Sequence, residues 1–242
     1  MFKEEANFLE EFKIEHKVFD KRTLMAIFDL IKKGHIKTVE SMIKEGKESI
    51  VVSGKDEKGE WLSIKVYRVL YVDFKNMWTY LATDPRFERV KKNRWSIVTT
   101  WARREFKNLK TAFEGDVSCP RPIAVEKNVL VTEFIGENGI PAPKLVEIKL
   151  EDYQEVYDFI IEEMKKLAKL NLIHTDLSPY NIIIYQKPYI IDFSQAVPEK
   201  HPQAKEFLQR DVKNVNEYFK KHGAEINENI FNELSNIMKL KL

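Results

Sequence analysis

Glycine is what this sequence has least of for its size. Eight occur in 242 residues, at positions 34, 46, 54, 59, 115, 136, 139 and 223, about half the usual share of roughly 7%. No two stand two apart, so no G-x-G-x-x-G exists. That excludes the dinucleotide-binding fingerprint and the three-glycine phosphate loop in their standard forms. Gly54 and Gly59 have the separation of a Walker A loop, but Glu60 stands where such a loop needs lysine. Gly54–Gly59 therefore reads as a polar hairpin tip. Cysteine is nearly absent too: Cys119 stands alone. It allows no disulfide framework, suits a reducing, cytoplasmic setting, and reads as a small buried residue. Met1–Glu5 has no signal-peptide apolar core and no 18-residue apolar run occurs, so neither secretion nor a membrane span is expected. Five scattered histidines make a zinc site unexpected. Forty basic against 38 acidic side chains leave a net charge of +2, too small for wholesale polyanion binding.

What is present suits a globular chain: 43% apolar and 32% charged residues, enough to build a buried core. Residues 1–17 read as a charged lead-in. Phe19 and Asp20 introduce a helix with Leu24, Ile27, Phe28 and Ile31 on one face, stopped near Gly34. Residues 49–53 and 61–67 alternate as strands, and 71–96 reads as a long basic loop. A helix follows over 97–113, then strands at 122–126 and 128–134. Gly136–Pro143 has linker composition, and 151–171 the period of a long helix. Short apolar strands at 182–185 and 189–192 flank Gln186-Lys187-Pro188. The remainder reads as helix, 203–221 and 226–240, with His201 at a turn or cap. The order predicts an α+β chain of two lobes, 1–135 and 136–242, with a hinge near 133–143 and a cleft between them.

The strongest chemical signal is Leu172-Ile173-His174-Thr175-Asp176-Leu177-Ser178-Pro179-Tyr180-Asn181, followed by Ile190-Ile191-Asp192-Phe193-Ser194. It sets Asp176, Asn181 and Asp192 at turns beside short apolar strands. Phosphoryl transfer needs a carboxylate to orient the nucleophile, and an amide and a second carboxylate as oxygen ligands for Mg²⁺. Upstream, Lys65 lies in an alternating strand with Ser63 and Tyr67, placed to neutralise phosphate charge. Glu105 projects from the apolar stripe of its helix and is the candidate partner for Lys65. The plainer alternative makes Glu105 an exposed partner of Arg104 or Lys107.

These residues resemble the RIO family of atypical protein kinases, in its RIO-one branch. The resemblance runs from Val18-Phe19-Asp20 to the helix after His201-Pro202. Thr100-Trp101-Ala102-Arg103-Arg104-Glu105, Phe134-Ile135-Gly136, Pro141-Ala142-Pro143 and Asp192-Phe193-Ser194-Gln195-Ala196-Val197 carry it best. Too few residues precede the first strand for the winged helix of the RIO-two branch. The resemblance implies a protein-kinase-like fold whose mostly helical second lobe lacks the activation loop and peptide-docking subdomains. It implies Gly46, Lys47 and Ser49 in the phosphate loop, Lys65 on the phosphates and Glu105 as its partner. Thr132 would be the gatekeeper, with Glu133, Phe134 and Ile135 forming the adenine hinge. Asp176 would be catalytic, and Asn181 and Asp192 would hold Mg²⁺, or Mn²⁺ in its place. Asp192 would also accept a phosphoryl group from ATP. One departure stands out: Lys44-Glu45 precede Gly46 where the family has Ser-Thr, and Ile50 replaces Asn. The lost hydroxyls and the added Glu45 charge predict weaker triphosphate contacts.

Only fifty residues follow Asp192, without an A-P-E motif, so ATP hydrolysis or autophosphorylation is expected over a peptide groove. Between 86 and 110, nine basic residues (Arg86, Arg89, Lys91, Lys92, Arg94, Arg103, Arg104, Lys107, Lys110) face only Glu88 and Glu105, with Phe87, Trp95 and Trp101 interleaved. This reads either as a solvated charged face or as a contact for RNA. The family's role in small ribosomal subunit maturation implies rRNA or a pre-ribosomal particle, and no DNA or membrane partner. Two alternatives stay open: a catalytically weak nucleotide-sensing scaffold on the pre-ribosomal small subunit, and another small atypical kinase of the kind that partners tRNA-modification complexes.

Overall fold

The computed structural model describes residues 19–69, 77–78, 80–81 and 91–240. Helix α1 (Lys21–Lys32) begins where the Asp20 carboxylate accepts the Thr23 N–H at 2.8 Å, satisfying an otherwise orphaned donor. Strands β1 (Thr38–Glu45), β2 (Ser49–Lys55) and β3 (Trp61–Tyr67) follow, then helix α2 (Arg94–Glu114), capped by Asn93 on the Ser96 N–H. Strands β4 (Pro122–Glu126) and β5 (Val129–Glu133) complete an antiparallel sheet of order β1-β2-β3-β5-β4.

The two-residue period of β3 decides what faces the site. Leu62, Ile64 and Val66 are buried with Ile50, Val52 and the apolar face of α1. Ser63 and Lys65 consequently face the other way, into a cavity. Gly54 suits the crossing of β1 over β2, since a Cβ there would stand 2.6 Å from the Thr38 carbonyl oxygen. Asn128 ties the layers together, donating to the Thr23 hydroxyl and the Tyr67 carbonyl, both at 2.8 Å.

Beyond the sheet come the small hairpin β6 (Gly136–Glu137)–β7 (Ile140–Pro141), helix α3 (Tyr153–Lys169), and β8 (Leu172–Ile173). Strands β9 (Ile182–Tyr185) and β10 (Lys187–Ile190) form a hairpin, and β11 (Val197–Pro198) pairs with β8. Helices α4 (Ala204–Lys221) and α5 (Ile230–Met238) close the chain. A second core gathers Tyr157, Ile160, Met164, Leu167, Phe193, Phe207, Val215, Phe219 and Leu234. The first half of α2 packs Ile97, Val98 and Trp101 against Tyr67, Met77 and Leu81. Its second half contributes Leu109 and Ala112 to the second core, so one helix is built into both regions.

The expected α+β arrangement is present, with corrections. Strand β1 escaped the sequence pattern because it is an irregular edge strand, only Val39 and Ile43 being half-buried and its pairing slipping twice. The segment 71–96 is not loop throughout. Met77, Trp78, Tyr80 and Leu81 are helical, Met77 and Leu81 are buried, and α2 starts at Arg94. The rest of that segment through Val90, and the lead-in 1–17, lie outside the described residues. Gly136–Pro143 is no plain linker: β6 and β7 pair there, and a Cβ at Gly136 would collide with the Ile140 carbonyl. The turn between β9 and β10 is Gln186 alone, with φ of 57°, so Lys187 and Pro188 join β10. The strand expected at 189–192 stops at Ile190, and Asp192 is left-handed at φ 64°. Helix α5 covers less than 226–240 because Glu225 and Asn227 give their N–H groups to Gln154 and Tyr157 of α3. Among the described residues no helix is long and apolar enough to cross a membrane.

Candidate active site

Lys65 reaches from β3 to two carboxylates: its ammonium donates to Glu105 Oε1 at 2.9 Å and Asp192 Oδ1 at 3.0 Å. Glu105 is buried, so the alternative of an exposed surface partner falls away. Its other oxygen accepts the Tyr67 hydroxyl. Burial disfavours the Lys65 charge, but the charges of Asp192 and Glu105 outweigh it and hold the ammonium well above the usual range. For Asp192, whose side chain keeps 40% of its surface exposed although protein crowds it, desolvation is again overridden, by Lys65 and by the Ser194 hydroxyl at 2.7 Å, which keep its carboxyl well below the usual range. Burial pushes Glu105 up despite Lys65, with repulsion from Asp192 adding to it.

The Asp176 segment is held in strained backbone. Thr175 and Asp192 both have positive φ, 71° and 64°, a region costly for residues with a Cβ, most of all a β-branched one. Buried Asp211 on α4 holds the turn by accepting the Thr175 N–H at 2.7 Å and the Leu177 N–H at 2.9 Å. Arg210 donates to the Thr175 carbonyl. Burial lifts the Asp211 carboxyl to about 7 despite these two donors. His174 is buried and its basicity falls accordingly. A neutral ring protonated at Nε2 satisfies both its contacts, the Ile191 carbonyl at 3.0 Å and the Asp176 N–H at 3.4 Å. Asn181 donates to the Asp176 carbonyl at 2.8 Å and its Oδ2 at 3.1 Å. Asp176 itself is exposed, and desolvation, with Asp192 nearby, raises its carboxyl above the usual value.

A cavity of about 560 Å³ brings most of the expected residues together. Gly46, Ser49, Lys65, Glu105, Thr132, Glu133, Phe134, Ile135, Asn181 and Asp192 all line it. Two do not. Asp176 stands outside that lining and is joined to it through Asn181. Lys47 is exposed in the turn from β1 to β2, where the Gly46 N–H bonds the Ser49 carbonyl at 2.9 Å, and Lys44 and Glu48 take its expected place in the wall. Glu133 turns its carboxylate onto the Arg121 N–H at 3.0 Å. Glu45, the charge expected to oppose phosphate, pairs with Arg68 at 3.0 Å and is absent from the wall.

Comparison with known proteins gives the family of the chain. The pattern that defines the RIO domain matches residues 50–231. The chain belongs to the RIO family. Its relatives place this RIO chain among the RIO1-type serine/threonine-protein kinases. Rio1 of Haloferax volcanii is 40% identical over 217 residues, 89% of this chain and 75% of that protein. Rio1 of Methanocaldococcus jannaschii is 40% identical over 230 residues, covering 94% and 78%. The crystal structure of the Rio2 kinase-ADP/Mg²⁺-phosphoaspartate complex from Chaetomium thermophilum matches with a TM-score of 0.71 at 23% identity. It covers 90% of the RIO chain and 66% of its own, just under two thirds, and shows a shared protein-kinase-like fold.

Sequence reasoning missed two residues that brace this RIO site from α2. Arg104 is fully buried and donates to the carbonyls of Ser194, Gln195 and Ala196. Asn108 donates to those of Phe193 and Ala196, both at 2.9 Å. Their i, i+4 spacing beside Glu105 was the available signal. The basic stretch 86–110 is corrected by the same observation. Arg104 and Trp101 are buried and unavailable to a partner, while Arg86, Phe87, Glu88 and Arg89 lie outside the described residues. Lys91, Lys92, Arg94, Arg103, Lys107 and Lys110 are exposed.

Proposed function

We propose that this chain transfers the terminal phosphoryl group of ATP, in a Mg²⁺-dependent reaction, between lobes formed by 1–135 and 136–242. The observation that supports this best is Lys65 bonded to both Glu105 and Asp192 in a wall that also holds Asn181. Asn181 and Asp192 offer hard oxygen donors, which fit Mg²⁺ and would hold it, with Mn²⁺ able to substitute. Bound there, the metal supplies neutralisation of charge on the phosphate oxygens. Lys65 would neutralise further phosphate charge, kept cationic by its two carboxylates. The hinge Glu133–Ile135, below gatekeeper Thr132, would take the adenine through backbone groups, with Gly46 and Ser49 at the phosphates. Asp176 would orient the acceptor hydroxyl, its raised pKa making it a readier proton acceptor. In autophosphorylation, Asp192 Oδ2 would form a bond to the γ-phosphorus as the bridging P–O bond to ADP breaks, leaving an acyl phosphate. Both its bonds to Lys65 and Ser194 fall on Oδ1, and the Rio2 relative was crystallised as a phosphoaspartate complex.

Asp176→Asn and Asp192→Asn are each expected to lower turnover of Mg·ATP by about 10³-fold or more. Steady-state ATP hydrolysis and incorporation of labelled phosphate check this. Unchanged turnover in Asp192→Asn would remove the proposal. Binding of ATP without turnover by the unsubstituted chain would favour the sensing scaffold instead.

The exposed basic residues of this stretch suit a polyanionic partner in the cytoplasm, and a small ribosomal subunit precursor is the partner the family resemblance favours. Replacing Lys91, Lys92, Lys107 and Lys110 by Ala should weaken small-subunit binding by about tenfold and flatten its salt dependence. Equal binding by parent and variant across a salt series would exclude these residues as the contact.

A further inference from the structure

Resting on the nucleotide reading above, we infer that Lys44 and Lys144, carried by two separate elements that line the cavity, form a cationic clamp that grips the phosphate chain. Lys44 lies at the end of edge strand β1, two residues before Gly46. Lys144 follows the β6–β7 hairpin and is tied down by its backbone, which bridges to Ile183 and donates its N–H to Glu147 at 2.9 Å. These are unrelated parts of the fold, yet both lysines line the same cavity, and the charge of Lys44 acts on Lys144 there. Burial and the facing charge of Lys44 pull Lys144 below the ordinary lysine range, although Glu147 and Asp192 oppose that shift. Among the described residues, neither ammonium makes an ion pair with a carboxylate within hydrogen-bond reach.

Two like charges brought together at one opening favour an anion able to meet both, and a chain of phosphates carries charge along its length. Lys44 stands where the family's phosphate loop carries a hydroxyl, so the departure that seemed to weaken triphosphate contacts supplies a charged one. Glu45 does not cancel it, being held by Arg68 away from the wall. The clamp therefore acts on phosphate and leaves adenine recognition to the hinge.

The test is calorimetric binding of ATP, ADP and adenosine, with Mg²⁺ present, to the unsubstituted chain and to Lys44→Gln, Lys144→Gln and the double variant. The double variant should lose on the order of tenfold or more in ATP affinity, less for ADP, and nothing for adenosine. A Lys44→Arg, Lys144→Arg chain should retain the preference for ATP over adenosine. Melting curves coincident with the parent establish that the variants fold. Unchanged ATP affinity, or equal losses for ATP and adenosine, would overturn the clamp. Failure of the unsubstituted chain to bind any of the three would instead overturn the nucleotide reading, and the clamp with it.

Discussion

Lys65→Met is expected to lower ATP turnover by about 10³-fold, because it removes the cation held between Glu105 and Asp192. It should also destabilise the fold, by about 3–5 kcal/mol near neutral pH, since a buried carboxylate is left without its counter-charge. Glu105 carries that cost, with 4% of its side chain exposed; Asp192, at 40%, is screened by solvent and adds little. The cost depends on pH in a definite direction. Without Lys65, burial and repulsion from Asp192 both continue to raise Glu105, with the main opposing charge gone. A carboxyl raised in the folded state contributes stability fully below its unfolded value of about 4.3 and loses it as pH rises through the folded value. The deficit relative to the parent should therefore be smaller at pH 5 than at pH 8. Urea unfolding at both pH values measures it, and equal deficits would show that Glu105 does not depend on Lys65 for its charge.

Arg104→Met should be nearly as damaging, for a different reason. The guanidinium donates to three consecutive carbonyls and lies 4.9 Å from the Trp101 ring centroid. Methionine fills much of the space but donates nothing, so the carbonyls of Ser194 and Gln195 lose this buried partner. A loss on the order of 3 kcal/mol follows, together with a fall in turnover, because the same segment carries Asp192. Arg103→Met, one residue away and exposed, should change stability by less than about 0.5 kcal/mol. Chemical denaturation and ATP hydrolysis on the two variants make the comparison. Equal stability of the pair would mean that Arg104 supports nothing.

The sequence announces some of these features and conceals others for physical reasons. Lys65 could be placed because β3 alternates strictly, and period two leaves no choice of face once Leu62, Ile64 and Val66 are buried. Asp176, Asn181 and Asp192 stood out because polar residues interrupt short apolar strands there. Arg104 did not, since a charged residue on an amphipathic helix is ordinarily at the surface, and only the tertiary arrangement supplies its carbonyls. Lys44 and Lys144 are a hundred positions apart, and no local pattern can report that they line one cavity. Strand β1 was hidden by its exposure, because an edge strand with little buried on either face has no periodicity to read. The overestimate of loop in 71–96 came from aromatic residues whose partners, including Tyr67 and Trp101, lie elsewhere in the chain.

The bonds from α2 to the segment after Asp192 bear on control. Five hydrogen bonds from Arg104 and Asn108 reach the four carbonyls of residues 193–196, and Glu105 sits between those two donors in sequence. In many protein kinases activity is set by moving the helix that carries the glutamate away from the phosphate lysine. Here that movement would drag the Asp192 segment along or break all five bonds, at about 1 kcal/mol each. The glutamate and the aspartate thus share a single degree of freedom. A regulator of this protein has little leverage on that helix and must act on what the cleft admits or on when its product leaves.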